Sequence, residues 1–325
     1  MSTTVKTLCA SVAGLAVLLL VAHGALAQSV ERQSHTGRDA VIPGQYIVVF
    51  KDSVADPDTA GDELVRRVRG ERLDSYRSAV KGFSARLSDA ALARIKADPR
   101  VAFVSEDRVV SIAAFETPED AGAVRSMARG QVSAAAQALP NGINRIDAEN
   151  KTNKGANVHV AVIDTGIQTN HPDLAANIAG GKNCVRASNY QDQNGHGTHV
   201  AGTIAASNNT TGVVGVAPLA KLWAVRVLDR NGSGTWSSVI CGIDFVTSKA
   251  PANGGPITVA NLSLGGSGSS DNNCGNTNND ALHKALSVRM DETDAELTKL
   301  ASGRDAALAE AARLRQREAD IINAC

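Results

Sequence analysis

Residues 157–166, NVHVAVIDTG, decide the fold of the second half of this chain. The stretch is short, mostly apolar and rich in β-branched side chains, as is typical of a central strand covered on both faces. Asp164 follows the apolar run directly, at the carboxyl end of the strand, where open α/β sheets place their ligands and catalytic groups. The stretch therefore predicts a sheet with an acid at its functional edge.

A second motif, NGHGTHVAGT at residues 194–203, predicts the start of a helix whose first turn carries His196. The next turns are made of small residues, so that a neighbouring backbone can approach closely. Such a helix can present His196 to Asp164. His199 is expected to pack on the helix, and a zinc site formed by His196 and His199 is disfavoured, since their spacing is not that of a zincin helix and no glutamate stands in the required place.

Taken singly, Asp164 is more simply explained as a turn residue, and His196 as a capped or satisfied surface group. Together and in this order, however, AVIDTG and NGHGTHVAGT resemble the first two active-site motifs of the subtilisin-like serine proteases (subtilases, peptidase S8), including the proteinase K branch. The resemblance implies a serine-type endopeptidase that acts on protein or peptide substrates. Asp164 would orient the imidazole, and His196 would be the general base.

Residues 136–286 are expected to form a partial, doubly wound parallel-sheet subtilisin-like domain of α/β class. Apolar runs at 221–228 and 257–266 predict two further buried strands, and residues 236–246 have the pattern of a crossover helix. Ser263, Leu264 and Gly265 resemble the family's substrate-binding strand, which would pair with a peptide backbone. The alternative is a plain glycine turn.

The family resemblance also implies a structural calcium site, although the chemistry itself requires no cofactor. Residues 208–213 resemble a loop that binds calcium in many members. The oxygen ligands would come from six residues: Gln137, Asp173, Ser207, Asn209, Thr211 and Val213. Because Asp173 is the single carboxylate among them, a plain polar turn is the alternative.

Residues 45–111 predict a small α+β domain. The sequence predicts a strand at 45–52, a charged helix over 58–72, a strand at 80–87, a helix from Ser88 to Ile95 and a strand pair at 101–104 and 109–110. We interpret this as the ferredoxin-like order of strand, helix, strand, strand, helix, strand, in which the second and third strands are not cleanly separated here. PGQYIVVFKD, VKGFSARLSD and VAFVSEDRVV resemble the family's inhibitor I9-type propeptide. The resemblance implies an intramolecular partner that templates folding, blocks the cleft and is cut away, for which residues 112–135 predict the linker. An unrelated α+β module is the alternative.

Residues 1–27 have the pattern of a secretory signal with cleavage after Ala27, and the apolar run is too short to span a bilayer. We therefore expect a secreted chain without a membrane segment. Lys+Arg and Asp+Glu are equal at 33 each, which gives no reason to expect a nucleic-acid partner. The exported chain would keep four cysteines, which predict disulfides but allow three pairings: Cys184, Cys241, Cys274 and Cys325. None of the four stands in a motif that supports a catalytic cysteine.

The resemblance ends near Leu286, so the chain is expected to be truncated before the catalytic serine. Neither the family's oxyanion asparagine nor its Gly-Thr-Ser-Met-Ala-x-Pro-like nucleophile segment follows. Three serines precede this point in a GSGSS loop, without the tight helix entry that fixes a nucleophile: Ser267, Ser269 and Ser270. The partial sheet is expected to have a bare edge and one face without helices.

Residues 287–325 form a charged tail of helical pattern outside the family pattern. Its apolar seam is interrupted by Arg304 and Glu318, so that a weak coiled coil competes with a tail foreign to the fold, as after a frameshift, truncation or fusion. We expect the chain as given to be inactive. The rival function is that of a non-catalytic protease inhibitor or folding chaperone acting through residues 45–111.

Overall fold

The computed structural model describes residues 41–112, 136–185, 188–265 and 278–287, all within one compact unit. It contains a five-stranded antiparallel sheet and a four-stranded parallel sheet. Several predicted features lie outside the described residues: the signal 1–27, most of the linker 112–135, the serines of the GSGSS loop, Cys274, and the tail beyond Ser287. Among the described residues, no helix is long and apolar enough to cross a membrane.

The N-terminal segment builds most of the antiparallel sheet. Its elements are β1 (Val41–Phe50), α1 (Pro57–Val68), β2 (Glu71–Tyr76), β3 (Gly82–Arg86), α2 (Asp89–Lys96) and β4 (Val101–Ser111). The strands lie in the order β2-β3-β1-β4, and both helices pack with β-strand residues in a core of their own. This arrangement confirms the ferredoxin-like prediction.

Two details predicted for this segment are wrong. The charged run over 58–72 is a helix only as far as Val68, because Arg69 turns left-handed at φ 57° and closes the helix, after which β2 begins. The strand pair expected at 101–104 and 109–110 is the single strand β4. Its central polar residues need no break, because Asp107 is buried there against a helix start in the second half of the chain.

The second segment builds the parallel sheet. Its elements are α3 (Asn141–Arg145), β5 (His159–Asp164), β6 (Ile178–Asn183), α4 (His196–Ala205), β7 (Lys221–Arg226), β8 (Ser233–Thr235), α5 (Trp236–Ser248) and β9 (Ile257–Asn261). The strands lie in the order β6-β7-β5-β9, while β8 pairs with β4 and joins the antiparallel sheet. Residues 281–287 are also helical, and Ala281 and Ala285 pack in the core beside α5.

Helices cover both faces of the parallel sheet. Alternate residues of β5 point to opposite faces. Val160 and Val162 pack in one core with residues of α4, whereas Ala161 and Ile163 pack in another with residues of α5. The expectation of a face without helices is therefore wrong, because the connections β6–α4–β7 and β7–α5–β9 place their helices on opposite sides. The doubly wound α/β prediction is confirmed.

The run 257–266 is neither buried nor a strand over its full length. β9 ends at Asn261, and Val259 is 45% exposed. The reason is its position, since β9 is the last strand in the sheet order of the described residues. Among the described strands, β9 is thus an edge strand of the parallel sheet.

A disulfide between Cys184 and Cys241 selects one of the three pairings. It joins the end of β6 to α5, with the two Cα atoms 5.9 Å apart, a normal separation for a disulfide. The two cysteines are 57 positions apart in the sequence, so the bond ties elements that no local pattern connects.

The two segments meet at α5 through polar contacts, which are buried at the start of the helix. At the start of α5, Asp107 accepts hydrogen bonds from the Ser237 N–H (3.0 Å) and hydroxyl (2.6 Å), and the Tyr76 hydroxyl donates to the Ser237 carbonyl (3.1 Å). Further along α5, one carboxylate oxygen of Asp244 accepts from the three consecutive N–H groups of residues 77–79, at 2.9, 2.6 and 2.8 Å. The N-terminal domain is therefore held at two points along a helix that belongs to the second segment.

Candidate active site

Asp164 occupies the last position of β5 and is completely buried. Its carbonyl accepts the N–H groups of Val227 (2.8 Å) and Leu228 (3.2 Å), which follow β7, and its own carboxylate accepts the Thr165 N–H (2.7 Å). A buried carboxylate needs such partners, because an isolated charge is strongly disfavoured away from water. The sheet edge thus holds the acid in a fixed place.

His196 is the first residue of α4 and lies against this acid. Its Nδ1 is 2.8 Å from Oδ1 and 2.9 Å from Oδ2 of Asp164, and its side chain is 13% exposed. Burial alone would lower the pKa of His196, but its hydrogen bond to Asp164, the charge of Asp164 and the charge of Asp192 together raise it above the ordinary value. A proton on Nδ1 that is donated to Asp164 leaves Nε2 as the atom that can accept another.

Gly197 permits this approach of helix to strand. A Cβ at this position would lie 2.2 Å from the Gly166 carbonyl oxygen and 3.2 Å from the Asp164 Cβ. His199, by contrast, is exposed on α4, so the expectation that it packs on the helix is wrong, because its position on the helix faces outward.

The end of β4 lies in a groove formed by two backbone segments, β8 and Gly265. On one side, Val109, Val110 and Ser111 pair antiparallel with β8. On the other, the Ser111 N–H donates to the Gly265 carbonyl (3.3 Å) and its carbonyl accepts the Gly265 N–H (3.1 Å). Gly265 thus pairs with an extended chain, which is the type of contact expected of residues 263–265.

The other two residues of that stretch have different roles in the structure. The Ser263 hydroxyl accepts a hydrogen bond from the Asn261 side-chain amide (2.9 Å), and Leu264 packs against the core that contains α5. Neither pairs with β4 in the way that Gly265 does.

Two parts of the site were missed by sequence reasoning. The first is β8, the second wall of the groove, because three residues are too few to show a period. The second is Arg226, which is buried and donates to the Leu228 and Gln191 carbonyls and the Gln193 side-chain oxygen. Burial lowers the pKa of its guanidinium. It ties β7 to the loop before α4, and no local signal distinguishes it from an exposed arginine at a strand end.

The six proposed calcium ligands are contiguous in the fold. The Gln137 side-chain nitrogen lies 2.8 Å from the Ser207 carbonyl, 3.2 Å from the Val213 carbonyl and 3.5 Å from the Asn209 side-chain oxygen. Asp173, almost fully buried, accepts from the Asn209 amide (3.0 Å) and the Val213 N–H (3.0 Å). Thr211 joins the group through its N–H, which donates to Asn209 (2.8 Å).

Two family models match the chain. Residues 155–305 match the subtilase family, and residues 45–113 match peptidase inhibitor I9. The first match extends to residue 305, so the prediction that the family resemblance ends near Leu286 is wrong by this measure.

Curated relatives agree with these matches. Subtilisin E from Bacillus subtilis is 40% identical over 227 residues, which cover 68% of this chain and 52% of the relative. Subtilisin-like serine protease AsES from Sarocladium strictum is 37% identical over 235 residues, 70% of this chain and 54% of the relative. An alkaline protease from Shouchella clausii is 45% identical over 195 residues, 53% of this chain and 49% of the relative. The chain spans about half the length of the curated relatives it matches.

Proposed function

We propose that this chain, which matches the subtilase family over residues 155–305 and peptidase inhibitor I9 over residues 45–113, is the precursor of an exported serine endopeptidase that hydrolyses peptide bonds. The observation that carries the proposal is the bond between His196 Nδ1 and Asp164 at the carboxyl edge of the parallel sheet.

In the proposed mechanism, Asp164 holds the imidazole by its Nδ1–H and stabilises the imidazolium that forms. Nε2 of His196 takes the proton from a serine hydroxyl as the serine attacks the peptide carbonyl, and then gives it to the leaving amine. The substrate backbone pairs between β8 and Gly265, where the end of β4 lies in the precursor. Ser263 and Leu264 precede Gly265 in the same proposed substrate-binding stretch.

The nucleophile and the oxyanion asparagine are proposed to lie outside residues 1–325, because no Gly-Thr-Ser-Met-Ala-like segment occurs in this sequence. On this proposal the chain by itself does not turn over substrate, since a base without a nucleophile cannot form the acyl-enzyme.

A chimera tests the proposal. Residues 1–286 are joined to the C-terminal part of subtilisin E that follows its matched region, and hydrolysis of a peptide substrate is measured. We expect activity in the chimera and a loss on the order of 10²–10⁴-fold in the His196→Ala variant, the usual range for a general base. The matched control is His199→Ala, an exposed histidine on the same helix, which should keep its activity. A folded chimera in which both alanine variants have equal activity would refute the assignment.

The second candidate function is inhibition by the N-terminal domain. It is favoured by the end of β4, which fills the groove, and by the contacts of Asp107 and Asp244 with the two segments that meet at α5. If inhibition is its role, a purified fragment of residues 41–113 should inhibit intact subtilisin E in proportion to its concentration. A fragment that folds but does not inhibit, or is merely digested as a substrate, would exclude this function.

Calcium binding is proposed as a structural addition, and the donor set fits it. The Ser207, Val213 and Asn209 oxygens converge on the Gln137 side-chain nitrogen, and a 180° rotation of that amide would present its oxygen instead. With Asp173 and Thr211, this gives the neutral and anionic oxygens that Ca²⁺ prefers. Across the part of the chain that the structure describes, no three His, Cys, Asp or Glu side chains form a metal cluster, so the site would depend on carbonyl and amide oxygens.

Export is proposed from the signal pattern of residues 1–27 and is supported by the Cys184–Cys241 disulfide, since such bonds persist in oxidising compartments. N-terminal sequencing of the chain recovered from a secreting host should begin at Gln28. An intact Met1 on an extracellular product would contradict cleavage after Ala27.

A further inference from the structure

Asp192 lies between the two active-site segments and accepts five hydrogen bonds. Its Oδ1 accepts the Thr165 hydroxyl (2.9 Å) and the N–H groups of Asn194 (2.9 Å) and Gly195 (2.9 Å). Its Oδ2 accepts the Thr198 N–H (2.9 Å) and hydroxyl (2.5 Å). The side chain is thus tied at once to the end of β5 and to the start of α4.

These bonds form a chain from the acid to the base. Thr165 follows Asp164 directly, and its hydroxyl donates to Asp192 while it accepts the Gly197 N–H (2.9 Å). Gly197 in turn follows His196. The bond between Thr165 and Gly197 is therefore a second connection between the two segments, and it helps to fix the distance between Asp164 and His196.

Asp192 and Thr165 also replace a missing helix cap. The N-cap of α4 is Gly195, which has no side chain to bind the first N–H groups of the helix. The Gly197 N–H is bound by Thr165, and the Thr198 N–H by Asp192. A carboxylate at this end is also favoured by the helix dipole.

We propose that Asp192 is a positioning residue that acts through Thr165 and the first turn of α4 to hold the His196 imidazole against Asp164. The inference rests on the roles proposed above for Asp164 and His196. Its test measures the geometry of this pair and not turnover, so that failure of the proposed hydrolysis and failure of this inference give different results.

The test is an NMR titration of the full chain labelled at histidine, in which the pKa of His196 and its low-field Nδ1–H resonance are measured. Thr165→Val removes the linking hydroxyl at nearly constant volume and should lower the pKa of His196, while Asp192→Asn removes the charge as well and should lower it further. Both variants should weaken or broaden the Nδ1–H resonance.

Two matched variants control the result. Thr203→Val makes the same substitution on α4, where the hydroxyl donates only to the helix carbonyl of His199, and should leave both readings unchanged. Thr165→Ser keeps the hydroxyl and should restore the wild-type readings. The same loss in folded Thr165→Ser and Thr165→Val would show that the methyl group matters, and would overturn the proposal.

A folded Asp192→Asn chain with the wild-type His196 pKa and Nδ1–H resonance would overturn it as well. If only one of the two variants Asp192→Asn and Thr165→Val folds, the proposal is judged from the His196 pKa and Nδ1–H resonance of the variant that does. If neither folds, the two residues are structural and the positioning role is rejected.

Discussion

At the scale of single residues, the contact between acid and base depends on the absence of a side chain at Gly197. The backbone oxygen of Gly166 occupies the place where a Cβ would stand. Gly202 lies on the same helix, but a Cβ there would meet nothing within 4 Å. The two glycines therefore differ in steric surroundings while sharing one helix.

This difference predicts opposite effects of one substitution. Gly197→Ala should destabilise the chain by about 1–3 kcal/mol, because the helix must move away from β5. Gly202→Ala should stabilise it by up to about 1 kcal/mol, since alanine is the better helix former. Urea unfolding measures both, and equal effects at the two positions would contradict the close approach of α4 to β5.

At the scale of elements, α5 contacts the N-terminal domain through two carboxylates, Asp107 of β4, which is buried, and its own Asp244, which is partly buried. Burial raises the pKa of Asp107 and of Asp244, against the hydrogen bonds that each accepts. A carboxyl group whose pKa is raised on folding binds its proton more readily in the folded chain than in the unfolded one. Its contribution to stability therefore falls as the pH rises from its ordinary pKa through the raised value.

The Asp244→Asn variant should isolate this effect. A single oxygen of Asp244 accepts all three N–H groups, and an asparagine oxygen can do the same without a charge. Relative to this variant, wild type should gain stability as the pH is lowered from 7 towards 4, as measured by the free energy of unfolding. Asp52→Asn, at an exposed aspartate, is the control. If the wild-type chain instead loses stability on acidification relative to Asp244→Asn, the pKa of Asp244 is lowered on folding and the prediction is wrong.

The loop around Asp173 is a second element with a testable ligand. Ca²⁺ at 100-fold above its Kd should stabilise the chain by about 2.7 kcal/mol if it binds the folded state alone. Asp173→Asn should abolish this increment, whereas Asp147→Asn, an exposed aspartate outside the loop, should keep it. Thermal unfolding with and without Ca²⁺ measures this stabilisation. If Ca²⁺ stabilises the Asp173→Asn variant as much as the wild type, the ion binds elsewhere.

At the scale of the whole molecule, the Cys184–Cys241 disulfide closes a long loop that contains α4 and β7. In the loop-entropy view, a bridge across 57 positions stabilises by about 4 kcal/mol. The double variant Cys184→Ser/Cys241→Ser should lose an amount of this order in urea unfolding. A loss below about 1 kcal/mol would mean that the conformational freedom of the unfolded chain is already limited without the disulfide.

The parts of this molecule that the sequence predicted are those whose residues follow a recognisable local pattern. β5 and the first turn of α4 have a period and flanking motifs, and the sequence placed Asp164 and His196 on them correctly. The disulfide, the burial of Asp107 against Ser237 and the groove wall β8 depend on residues far apart in the chain. Such contacts cannot be inferred from a local pattern. The prediction of two strands in place of β4 is an example: polar residues suggested a break, because the sequence does not reveal that Asp107 binds Ser237 of α5.

The most direct test of the central claim, that Asp164 and His196 form an acid–base pair, is the pKa of His196 in the full chain and in its Asp164→Asn variant. Burial lowers this pKa and the carboxylates raise it. The wild-type pKa should therefore lie above 6.5, and it should fall below that value when Asp164 loses its charge. A wild-type pKa at or below 6.5 that does not change in the variant would contradict the pair.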